Sequence, residues 1–215
     1  MGELHRALGD IQSIRRQVAG ATEFRGYGPA ALAGTGLLAV VGALVQALVV
    51  PEPAVHANEY LAVWVATAAA SVVLAGVTMW TRSRRLHSGL SDVMIGMAVQ
   101  QFAPVLVAGS LVTFVLARTG SGEGAGTLWM MPGLWMVLFS LGIFASCRFL
   151  PKLIATAGAW YLLTGLLTLG LGDARALSPW TMGFAFFAGQ MWIAGVLWTA
   201  GKVADEEDGN GFEEE

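Results

Sequence analysis

Six segments of the chain consist almost entirely of apolar and small residues, and polar residues are concentrated between them. Each segment is close to the ~20 residues that an α-helix needs to cross the hydrocarbon core of a bilayer. None contains Asp, Glu, Lys or Arg, although the 215-residue chain has 15 acidic and 12 basic residues. The pattern predicts an all-α, polytopic integral membrane protein, a six-transmembrane-helix bundle with spans at 30–50, 60–80, 93–117, 128–147, 153–172 and 180–200.

The start of the chain predicts a further helix that lies along the membrane instead of crossing it. Apolar residues recur there at spacings of three and four, with arginines on the other side: Leu4, Ala7, Ile11, Ile14 and Val18 against Arg6, Arg15 and Arg16. This pattern is typical of an N-terminal amphipathic surface helix, which a glycine-rich hinge at 20–28 follows. A short coiled-coil or partner-docking helix and a disordered arm are the alternatives.

These patterns divide the chain into three parts. Residues 1–28 form the cytoplasmic amphipathic helix and hinge, residues 29–201 form the six-helix transmembrane domain, and residues 202–215 form a tail. The tail carries seven acidic residues and a single Lys. Because such a segment cannot bury enough apolar surface to fold alone, we expect an acidic disordered tail.

The basic residues predict the orientation of the spans. Ten of the 12 Lys and Arg residues fall on one side if the N-terminus is cytoplasmic, and only Arg118 and Arg175 fall on the other. The positive-inside rule therefore favours a multi-pass protein of the cell membrane with both termini in the cytoplasm. We expect six arginines to lie at the membrane surface, close to anionic lipid headgroups: Arg6, Arg15, Arg16, Arg82, Arg84 and Arg85.

Histidine, cysteine and serine form no reactive pattern in this sequence. His5, His56 and His87 fall outside the spans and, in the predicted topology, on two sides of the membrane. Cys147 is the single cysteine and is interpreted as a buried structural thiol. The serines within the spans have no His, Asp or Lys nearby that would serve as a base. We therefore expect no catalytic residues, no metal site, no cofactor and no nucleic-acid partner.

Amides inside the spans are the main candidates for binding a molecule. Gln100 and Gln101 precede Pro104 in the third span, and the proline ring should bend the helix and free backbone carbonyls there. Gln190 supplies a further amide in the sixth span. The alternative interpretation is structural, since polar side chains in membranes also hold neighbouring helices together.

Aromatic residues in the middle of spans are the second group of candidates. Trp135, Trp160 and Trp192 lie away from the span ends, where interfacial tryptophans are usually found, and Tyr161 follows Trp160. Together with the amides they predict a site for an apolar or amphipathic molecule, such as a lipid or a quinone. The alternative is that these rings face lipid or fill the bundle core.

Three classes of function are compatible with these observations. The first is a small permease or ligand-binding bundle for an uncharged or amphipathic molecule. The second is a non-catalytic accessory or regulatory subunit that acts through its N-terminal helix or acidic tail. The third is a membrane enzyme acting on lipid. The lipid bilayer is the expected partner of all three, and a protein partner or a homodimer fits the glycine-rich sixth span.

Overall fold

All six predicted spans are helical in the computed structural model, which describes residues 28–86, 89–119, 126–147 and 151–210. Side chains are described at 28–81, 100–118, 126–147 and 151–202. Within these ranges there are six α-helices, two 3₁₀ turns and no strand. The helices are α1 (Pro29–Val49), α2 (Ala57–Leu86), α3 (Gly89–Thr119), α4 (Met131–Ser146), α5 (Ile154–Leu171) and α6 (Pro179–Asn210), and the 3₁₀ turns are Leu128–Met130 and Ala174–Leu177. Each helix contains a stretch long and apolar enough to cross a membrane.

Prolines and one glycine set several of the helix ends. Pro29 and Pro132 occupy the first turns of α1 and α4, where a missing N–H leaves no intrahelical hydrogen bond unmade. Gly172 ends α5 with φ of 67°, a left-handed conformation that costs glycine little. Asp173 then caps the second 3₁₀ turn, since its carboxylate accepts from the backbone N–H of Arg175 at 2.9 Å.

Three helices are longer than the spans that the sequence predicted. The predicted second and third spans leave residues 81–92 between them, whereas α2 continues to Leu86 and α3 begins at Gly89. The segment expected as a disordered tail begins as helix, because α6 continues to Asn210. Arg, Leu, Lys, Ala and Glu are good helix formers, and an existing helix gains one hydrogen bond for each residue added.

Several predictions concern residues or side chains outside the described part of the chain. The amphipathic helix, with Arg6, Arg15 and Arg16, lies there, as do residues 211–215. Arg82, Arg84 and Arg85 belong to the extension of α2, but their side chains also lie outside the described set. Their placement at the membrane surface stays a prediction.

The six helices form two units of three. In the first unit α1 packs most extensively against α6 and also against α2, and in the second α4 packs against α5 and α3. Contacts between the units are sparser and run through α5 with α6 and through α2 with α3. We call the α5–α6 contact the seam. It is the better packed of the two places where the units meet.

Burial is distributed unevenly over the bundle. Buried apolar side chains come mainly from α1, α4, α5 and α6. By contrast, no residue of α3 between 100 and 118 is buried, and α2 buries only Tyr60, Trp64 and Met79 among its residues 57–81. The exposed surface of α2 and α3 is rich in Val, Leu and Phe, which is compatible with contact to lipid.

Candidate ligand site at Gln190

One buried amide of the bundle is used to hold helices together. Gln46 of α1 is fully buried, and its Oε1 accepts a hydrogen bond of 2.7 Å from the indole Nε1 of Trp64 in α2. Its Nε2 donates to the carbonyl oxygen of Leu177, also at 2.7 Å, in the turn before α6. Both ends of this amide have protein partners, so Gln46 is structural.

Gln190 is the second buried amide and lies where α1, α5 and α6 meet. Only 7% of the residue is exposed. Gly36 of α1 makes room for it, because a Cβ placed on Gly36 would come within 3.1 Å of the Gln190 Cβ. From α5, the ring of Tyr161 packs against Gly189, where a methyl group would collide with it. Two glycines therefore allow the close helix approach that encloses Gln190.

The side-chain oxygen of Gln190 is buried without a hydrogen-bond donor among the described residues. The Tyr161 hydroxyl interacts with the Gln190 side chain, but it donates its hydrogen bond to the backbone carbonyl oxygen of Phe186, at 3.3 Å. The Trp160 indole donates to the carbonyl of Ala185, at 3.0 Å. The Trp160 and Tyr161 donors of α5 are thus used by the backbone of α6. An unpaired buried acceptor costs about 1 to 3 kcal/mol, and native structures retain few such groups.

An aromatic cluster adjoins Gln190 through Tyr161. Phe139 of α4 lies at its centre, with ring centroids 4.8 Å from Tyr161, 5.5 Å from Phe186 and 5.3 Å from Phe102. The three pairs have edge-to-face geometry, which the aromatic quadrupole favours. Side chains from α3, α4, α5 and α6 therefore meet in one apolar wall beside the amide.

The structure brings some of the predicted site residues together and places others elsewhere. Gln190 and Trp160 both lie at the seam. Trp135 belongs to the other side of the second unit, where its indole donates to the Thr113 hydroxyl at 2.9 Å, joining α4 to α3. Trp192 lies on the outer surface of α6, with 57% of the residue exposed.

The third-span candidates lie on α3, away from the fully buried part of the bundle. Gln100 and Pro104 are exposed, and Gln101 is partly buried. The helix continues without interruption through Pro104. A cavity shared by these residues and Gln190 stays a prediction.

The partners of Gln190 were missed by sequence reasoning for different reasons. Tyr161 was recognised as an aromatic residue within a span but not as a neighbour of the amide, although a hydroxyl at that depth is a usable signal. Phe186 contributes a backbone carbonyl and a ring, and one phenylalanine among several carries no such signal. Gly36 contributes the absence of a side chain, which becomes informative only once its facing residue is known.

Neither a metal-binding cluster nor a related protein indicates what this site does. No group of three His, Cys, Asp or Glu among the described residues is placed to hold an ion. Comparisons with models of protein families, with curated proteins and with solved structures found no match to this chain. The functional interpretation therefore depends on the geometry around Gln190.

Proposed function

We propose that this protein is a multi-pass protein of the cell membrane that binds an uncharged or amphipathic molecule inside its bundle, as a small permease or ligand-binding protein. The observation that carries the proposal is the buried side-chain oxygen of Gln190, which has no hydrogen-bond donor among the described residues. Gln46 provides the internal comparison, because the same amide at another buried position has both its ends bonded. A bound molecule that donates to Gln190 would explain why the acceptor is retained.

The position of Gln190 in the bundle supports this function. Gln190 is 11 residues after Pro179, so it lies about 16 Å along α6, roughly half the thickness of the hydrocarbon core. It also lies at the seam between the two three-helix units. Membrane transporters commonly bind their substrates near mid-depth between two such units, which then move against each other.

The charge pattern supports an uncharged substrate or one whose charge stays at the membrane surface. The six predicted spans contain no Asp, Glu, Lys or Arg. A charged group at mid-depth is costly unless a counter-charge neutralises it. Recognition by Gln190, Tyr161 and the aromatic cluster instead suits a molecule with one polar group and an apolar body.

Native mass spectrometry of the detergent-purified protein tests this function. We expect the wild-type protein to retain a co-purified molecule and Gln190→Leu to lose it, because leucine removes the acceptor at similar volume. Gln100→Leu is the matched control, since it makes the same change on the exposed face of α3, and it should keep the molecule. Equal retention by all three proteins, or none in any, would contradict the proposal. Failure of Gln190→Leu to yield folded protein would mark the amide as structural.

Cysteine accessibility tests the proposed orientation, with both termini cytoplasmic. In a Cys147→Ser background, a cysteine placed within 118–126 should react with an impermeant thiol reagent added to intact cells. A cysteine placed within 82–88 should react only after the cells are opened. The reverse labelling would show that the orientation is inverted.

A second candidate function, a non-catalytic accessory subunit, is favoured by the exposed face of α3. Gln100 presents an amide on this apolar helix, and a partner helix would provide a hydrogen bond that lipid tails cannot. Gln100→Leu, which removes this amide from the exposed face, separates the two functions. An accessory subunit would lose its partner in a pull-down, whereas a permease would keep its folded bundle and its bound molecule.

A further inference from the structure

The buried polar atom at Gln190 that lacks a partner among the described residues is an acceptor. The Gln190 oxygen has no donor within the described part of the chain. Tyr161 and Trp160 donate to backbone carbonyls of α6, and Thr35 of α1 donates to the carbonyl of Leu32 at 2.8 Å. A molecule that satisfies the site must therefore bring a donor, because a second acceptor facing the amide oxygen would leave both unpaired.

The donor must also be neutral. An ammonium group would donate well, but it would lack a carboxylate, since no acidic residue falls in the six predicted spans. The loss of hydration of an unpaired cation at this depth exceeds what one amide oxygen and aromatic faces return. A hydroxyl group has the required donor and no net charge.

The aromatic cluster indicates the rest of the molecule. Tyr161 belongs both to the surroundings of Gln190 and to the cluster, where its ring centroid is 5.2 Å from that of Phe186. A molecule whose hydroxyl reaches Gln190 would thus have its adjacent portion beside aromatic rings. Flat or apolar groups are favoured in such surroundings.

We infer, on the basis of the function proposed above, that the Gln190 site selects a neutral hydroxyl-bearing molecule with an apolar body. The hydroxyl donates to Gln190 Oε1. The site discriminates against counterparts of the same shape that carry only acceptors, such as ethers and ketones. A site built to pair with a hydroxyl rejects an analogue without one because its own polar group is then left unpaired.

Entry of such a molecule requires movement at the seam, because the Gln190 oxygen is enclosed by its neighbours. The Tyr161 hydroxyl makes a longer hydrogen bond than the Trp160 indole or the Thr35 hydroxyl. Its hydrogen bond to Phe186 measures 3.3 Å, whereas strong O–H···O bonds are closer to 2.7–2.8 Å. Displacement of this hydroxyl would open the amide to a molecule without breaking a strong bond.

A matched pair of probes tests the inference: 4-heptylphenol, which donates a hydrogen bond, and its methyl ether 4-heptylanisole, which does not. Binding to the full chain in lipid nanodiscs is measured by isothermal titration calorimetry, with empty nanodiscs as the correction for partitioning. We expect the phenol to bind the wild-type protein about tenfold more tightly, the effect of one hydrogen bond to a buried acceptor.

Variants connect the preference to the amide. Gln190→Leu should bind both probes equally, whereas Gln100→Leu should keep the tenfold preference. Gln190→Met replaces the leucine variant if the latter does not fold.

Equal, saturable binding of both probes to the wild-type protein would overturn the donor inference and leave the proposed binding function intact. An absence of saturable phenol binding would also overturn the inference, as expected if a water molecule alone pairs with the oxygen. The proposed function is judged separately, by the molecule that co-purifies.

Discussion

Replacement of Gln46 by leucine should destabilise the bundle, although the position is buried and leucine is more apolar. The substitution removes both hydrogen bonds of the amide, from the Trp64 indole and to the Leu177 carbonyl. Both partners are themselves buried, with 2% and 0% of their surface exposed. They would be left without the bonds that link α1 to α2 and to the turn before α6.

The expected loss is about 1 to 3 kcal/mol of unfolding free energy. Interhelical hydrogen bonds in membrane proteins contribute about 0.6 kcal/mol each on average and about 1.7 kcal/mol at most, and two are lost here. Leucine recovers little of this loss, because apolar burial adds little when the unfolded helices already reside in lipid.

Unfolding by titration with a denaturing detergent, followed by circular dichroism, measures this difference. Gln100→Leu is the control, because its amide is exposed, and it should change stability by less than about 0.5 kcal/mol. A double-mutant cycle with Trp64→Phe isolates one bond. The two losses should fall short of additivity by about 0.6 to 1.7 kcal/mol. A Gln46→Leu protein as stable as the wild type, or an additive cycle, would show that these two hydrogen bonds do not stabilise the bundle.

Three further predictions concern packing, reactivity and one interhelical bond. Gly165→Ala should lower the unfolding free energy by about 1 to 3 kcal/mol, because its Cβ would lie 2.9 Å from a backbone carbonyl of α4. Gly170→Ala is the control, since it lies on the open face of α5 and should not lower the unfolding free energy. Thermal melting of the pair decides this, and equal melting temperatures would contradict it. Cys147 is partly buried at the end of α4, so its thiol is less accessible than that of a cysteine in an unstructured peptide. Its maleimide labelling at pH 7 should therefore be slower than that of a peptide cysteine, and peptide-like rates would contradict this partial burial. Trp135→Phe should cost about 0.6 kcal/mol in the same detergent titration, because Thr113 loses its indole donor; an unchanged midpoint would show that this bond contributes nothing.

The sequence predicted the helices well but not their partners. Stretches of about 20 apolar residues leave few alternatives, since a membrane-spanning segment must satisfy its backbone internally. The same uniformity conceals which face of a helix is buried, because the spans are apolar all round. That α1 packs chiefly against α6, and that residues 100–118 of α3 are scarcely buried, could therefore not be inferred. The polar extensions of α2 and α6 were missed because a change from apolar to polar residues shows where a helix leaves the membrane. It does not show where the helix ends.

For the candidate site, the sequence indicated residue types and not their surroundings. Gln46 and Gln190 are indistinguishable as amides in apolar spans, yet Gln46 is bonded at both ends and the Gln190 oxygen has no donor among the described residues. The difference depends on partners distant in the chain, such as Leu177, which is 131 residues from Gln46. Gln100 was a reasonable candidate on composition, but its position on an exposed face depends on how α3 packs.

The pairing of α1 with α6 has a consequence for how the protein is made. Of the described helices, α1 is synthesised before the others but finds its main partner in α6, and Gln46 finds its acceptor 131 residues later. At about 5–20 residues per second, translation of that interval takes on the order of ten seconds. Throughout it, an amide that the finished bundle buries must remain in the bilayer or the insertion machinery without its final partner. The first unit can therefore be completed only after α6 has been synthesised. A nascent chain stalled before α6 should be a substrate for membrane proteases, which pulse-chase labelling would detect.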